Sequence, residues 1–133
     1  MLTGSLGGDE RGSSPVEFVL VGTMLTALTL AVLQLALVVY VRNVVHDAAI
    51  GGAHHAALAD VSPEEGAARA RRVITQAVGA AYADDVEAAR VRQNGRDVMV
   101  VRVRTALPVI GLIGIPSAMN IHAEAPAESF DER

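Results

Sequence analysis

From Phe18 to Val41 the chain runs for 24 residues without a charge. A helix of that length reaches about 36 Å at 1.5 Å per residue. The hydrocarbon core of a bilayer is about 30 Å thick, so the run can cross it with some tilt. Gly22, Thr23, Thr26, Thr29 and Gln34 interrupt it. A threonine can bond back to its own helix backbone at little cost, whereas the Gln34 amide calls for a partner. Thr23, Ala27 and Ala31 recur every four residues. They predict a stripe for helix packing, although small residues are common in any membrane helix.

No breaker closes the run. Tyr40 and Arg42 suit a membrane–water interface. Beyond them VVHDAAIGGAHHAALAD continues with good helix formers and no proline. Gly51-Gly52 is expected to weaken the helix and bend it. The pattern therefore predicts one helix from Pro15 to about Ala59, its first part in lipid and its second part projecting. The membrane part lies at about 18–41, and a small domain follows over 61–133.

After a break at Asp60–Pro63, Ser62-Pro63-Glu64-Glu65 reads as a helix start, with Ser62 as cap, Pro63 in the first turn and Glu65 closing a capping box. That helix is expected to reach about Tyr82, with Ala70, Val73, Ile74, Ala77, Val78 and Ala81 along its apolar face. Asn94-Gly95 signals a two-residue hairpin turn. It sets Gln93 against Arg96, Arg92 against Asp97, Val91 against Val98 and Glu87 against Arg102, and both charged pairs have opposite signs. Met99, Val101, Val103 and Thr105 then share one face. Met119–Ala125 alternates and predicts a third strand. ALPVIGLIGIP, 106–116, is too short to span a bilayer. It reads as a loop over the domain, a shallow membrane contact or a surface for a partner. The tail PAESFDER reads as loose. The fold class is α+β: a long N-terminal transmembrane helix extending into a small domain with one helix on a three-stranded antiparallel sheet.

Composition narrows the function. There is no cysteine among 133 residues, which removes disulfides and thiol nucleophiles. The net charge is -4, and the only tight basic cluster is Arg69, Arg71 and Arg72, so no nucleic-acid surface is indicated. His46, His54 and His55 do not share a helix face or a ligand spacing, so no metal site is expected. No phosphate cradle, nucleophile elbow or paired-carboxylate site appears, and neither catalytic residues nor a cofactor are expected. A cleaved signal peptide fits poorly, because the apolar run is too long and its leading flank carries Asp9 and Glu10. The flanks do not encode orientation by charge. A short tail inside and a domain outside is the simpler arrangement.

One feature stands ahead of the apolar run. In ERGSSPVEFVL, Glu17 is also the third residue of a capping pattern in which Ser14 is the cap and Pro15 the first residue. A plain membrane helix could use it only to start. The same stretch, followed by QLALVVYVRNVVHDAAIGGAHHAA, resembles the TadE-like pseudopilins of the tight-adherence (Flp) type IV pilus system. The resemblance implies cleavage by a prepilin peptidase between Gly12 and Ser13, which divides a cytoplasmic leader over 1–12 from a pilin-like helical segment over 13–60 and makes Glu17 the fifth residue of the mature chain and Phe18 the sixth. It implies that Glu17 and Phe18 serve peptidase recognition or subunit alignment. A carboxylate in lipid is costly unless paired, which suits such a role. Tyr40 and Asp47-Ala48-Ala49 fit the family pattern, while the arginines expected near Gly51–His54 are missing. The resemblance covers Glu10 to about Ala57. It implies a minor structural or assembly component of the pilus or a related secretion machine in the cytoplasmic membrane, N-terminus cytoplasmic. Its partners would be the peptidase, other pilin-like subunits, membrane platform proteins and the bilayer. The alternative is a membrane-anchored binding or sensor module with an extracytoplasmic domain.

Overall fold

The computed structural model describes residues 10–106 and 119–128. The chain divides into two compact units, Met1–Ala36 and Leu37–Arg133. Helix α1, Glu10–Ala57, runs through the first and into the second. It begins ahead of the expected Pro15, and Pro15 lies inside it. Ser14 therefore does not cap α1. Pro15 is the sixth residue of α1, past the first turn, and it forfeits the bond its N–H would give the Arg11 carbonyl.

The described part of the first unit is α1 alone. Every side chain from Gly12 to Leu33 is exposed. The hydroxyls of Thr23, Thr26 and Thr29 donate to the carbonyls of Val19, Gly22 and Leu25, each at 2.8 Å. Their polarity is thus satisfied within the helix, as expected for threonines in lipid. α1 is long and apolar enough to cross a membrane.

The second unit opens with the rest of α1. Its buried positions, Val41, Val45, Ala48, Ala49, Gly52, Ala53, Ala56 and Ala57, recur at three- and four-residue intervals, which is the period of one helix face. The Gly51-Gly52 pair does not interrupt the helix. Helix α2 spans Pro63–Ala77. Ser62 caps it: the Glu65 N–H donates to the Ser62 hydroxyl at 3.3 Å, and the Ser62 N–H to the Glu65 carboxylate at 3.4 Å.

α2 ends at Ala77 rather than near Tyr82. Gly79 takes φ 111°, a backbone that only glycine enters freely. The N–H groups of Val78 and Gly79 both donate to the Ile74 carbonyl. A short 3-10 turn, Ala80–Tyr82, follows. The buried face of α2 is Gly66, Ala67, Ala70 and Ile74. It is shifted toward the helix start from the expected stripe, since Val73 is 40% exposed and Ala77 and Ala81 are also exposed.

Strands β1 (Asp85–Gln93), β2 (Arg96–Thr105) and β3 (Met119–Pro126) form an antiparallel sheet in the order β1-β2-β3. The pairs Gln93–Arg96, Arg92–Asp97, Val91–Val98 and Glu87–Arg102 are those expected. Asn94 at φ 52° and Gly95 at φ 81° make the tight turn, both with the positive φ that a type I′ hairpin needs. One face carries the buried Val86, Met99, Val101, Val103, Ile121 and Ala123 and joins the helices in one apolar core. The other is open, with Val98 and Val100 half-exposed and Arg102, Arg104, His122 and Glu124 exposed. The architecture is α+β, as predicted.

The tail departs from its expected looseness over its first residues. Pro126 belongs to β3, the Ala127 N–H donates to the Asp97 carbonyl at 2.9 Å, and the Glu128 N–H to the Ala57 carbonyl at 2.8 Å. Most of the 106–116 apolar stretch and the end of the tail lie outside the described residues.

Candidate functional site

The residues singled out near the N-terminus all lie on α1. Gly12 and Ser13 are in its first turn, and both are exposed. Ser13 and Glu17 are four residues apart, so they fall one turn apart on the same helix face. Gly12 and Glu17 are separated by about 140° around the axis and about 7.5 Å along it. Phe18 is 80% exposed, and Val16 and Val19 beside it are also open. Glu17 is exposed at the mouth of this apolar surface.

Thr23, Ala27 and Ala31 form an exposed stripe, with the Thr23 hydroxyl turned back to the Val19 carbonyl. Gln34 is half-buried. Large apolar side chains surround the stripe: Met24 is 66% exposed and Leu28 62%. An apolar surface of this extent is unsuited to water and suits lipid or neighbouring helices.

The second unit has a different character. His46 and His54 are exposed and His55 half-buried. Among the described residues no group of three His, Cys, Asp or Glu side chains could hold a metal ion. The Asp85–Arg104 pair, 3.4 Å apart, is solvated on both sides and contributes little to stability.

Two structural contacts escaped the sequence reading. Arg71 reaches from α2 to the Val86 carbonyl at 3.1 Å and so ties the helix to the edge strand β1. Gly52 of α1 and Gly66 of α2 meet backbone to backbone. Glycine at both sites was the available signal, but a close approach between elements is not written in either segment alone.

The comparisons with known proteins bear on the N-terminal part. Residues 12–54 match the model of the family described as TadE-like protein. Over this segment the chain is TadE-like. The matched stretch starts at Gly12, takes in Glu17, Phe18, the small-residue stripe and Gln34, and ends inside the buried part of α1. No curated protein and no solved structure matches the chain.

Proposed function

We propose that this protein is a minor, TadE-like structural or assembly component of a tight-adherence pilus or related secretion machine. The observation that carries the reading is the family match beginning at Gly12. An exposed apolar helix long enough to cross a membrane supports it. In this reading α1 anchors the chain in the cytoplasmic membrane, with residues 1–12 as a cytoplasmic leader and the domain over 61–133 outside. A prepilin peptidase cuts between Gly12 and Ser13. Glu17 and Phe18 then serve recognition and alignment against other pilin-like subunits, and the Thr23, Ala27, Ala31 stripe with Gln34 serves helix packing among subunits and platform proteins. The role is structural rather than catalytic.

The test is co-expression with a tight-adherence prepilin peptidase, followed by N-terminal sequencing of the membrane-bound product. A chain starting at Ser13 is expected, with Gly12→Leu blocking the cut. Retention of the residues ahead of Gly12 beside an active peptidase would sink the processing and favour the anchored binding module.

A further inference from the structure

The pattern Ser-Pro-x-Glu occurs twice, as Ser14-Pro15-Val16-Glu17 and as Ser62-Pro63-Glu64-Glu65. At the second site it starts a helix: Ser62 caps α2, Pro63 is its first residue, and Ser62 and Glu65 exchange both bonds of a capping box. At the first site the same residues lie inside α1, which begins at Glu10.

The interior is a poor place for the pattern. Pro15 has no N–H for the Arg11 carbonyl, its ring crowds that carbonyl, and it disfavours helical backbone at Ser14. Gly12, Ser13 and Ser14 are all modest or poor helix formers. Restarting the helix at Pro15 relieves these conflicts and lets Ser14 and Glu17 close the box that Ser62 and Glu65 close. We propose that α1 has two starts, one at Glu10 and one at Pro15 capped by Ser14 and Glu17, and that the second presents Gly12–Ser13 as extended backbone to a peptidase. Hydrolysis adds water across that peptide bond and leaves a carboxylate on Gly12 and an amine on Ser13. The shortened chain keeps Ser14, Pro15 and Glu17, a complete helix start. The cleavage clause rests on the processing reading above, but the second start does not.

The full chain in lipid nanodiscs tests both parts. In a helix starting at Glu10 the Val16 N–H meets the Gly12 carbonyl, and in the restarted helix it loses that partner. Pro15→Ala is expected to slow Val16 amide exchange roughly tenfold or more. Ser14→Ala should shift it in the same direction by roughly threefold. An unchanged rate in Pro15→Ala overturns the second start. With the peptidase present, Pro15→Ala is expected to be cut about tenfold more slowly than the unaltered chain. Equal rates overturn the cleavage clause. No cut in the unaltered chain sinks the processing reading and that clause together, while Val16 exchange still decides the second start.

Discussion

Gly52 and Gly66 set how closely α1 and α2 approach. A Cβ on Gly52 would lie 2.7 Å from the Gly66 carbonyl oxygen and 3.0 Å from the Ala70 Cβ. A Cβ on Gly66 would lie 2.5 Å from the Ala56 Cβ. Neither backbone can yield without separating the helices, so the small residues here are a packing requirement. Gly51, next door, has no atom within 4 Å of such a Cβ. The two adjacent glycines should therefore respond in opposite ways. Gly52→Val is expected to destabilise by about 1–3 kcal/mol through overpacking. Gly51→Ala is expected to stabilise by up to about 1 kcal/mol, because alanine is the better helix former. Thermal unfolding of the two full-length variants in detergent micelles, followed by circular dichroism, separates them. Equal effects would mean that the glycines act only through helix propensity.

At the scale of elements, what was legible depended on how local the cause is. The hairpin was legible because its turn, its register and its charge pairs all lie within a few residues of Asn94-Gly95. Gly95→Val should cost about 1–2 kcal/mol, since the left-handed backbone at φ 81° places a Cβ against the following carbonyl. Denaturant unfolding checks this, and a neutral variant would show that the turn tolerates another geometry. The start of α2 was equally readable, because its capping box is four residues long. Its end was not: AVGAAY reads as helix, and only the positive φ at Gly79 shows that the chain turns there. The same box was misplaced at Ser14, where the pattern is identical but α1 begins earlier. The Gly51-Gly52 pair read as a weak point because the partner of Gly52, Gly66, is supplied by another helix. The first residues of the tail read as loose for the same reason, since Asp97 and Ala57 hold them from a distance.

At the scale of the molecule, the second unit draws its core from α1 as well as from the sheet. Val41, Val45, Ala48, Ala49, Ala53 and Ala56 are each at most 3% exposed and share one apolar cluster with Met99, Val101 and Val103. Burial of a valine contributes about 1.5–3 kcal/mol, so Val41 and Val45 alone represent a large part of the roughly 5–15 kcal/mol that holds a domain folded. Without α1 the apolar cluster would lose these six residues, and α2 would lose the backbone against which Gly66 packs. A chain covering 37–133 is therefore expected to fold, to unfold cooperatively and to stay soluble without detergent. One covering 61–133 is expected to aggregate or to lack a cooperative transition. The full chain, which keeps the exposed apolar helix, is expected in the membrane fraction and to resist extraction with alkaline carbonate. Expressing the three side by side gives the answer. A cooperatively folded 61–133 would show that the sheet and α2 hold together without α1, and that α1 serves only as an anchor.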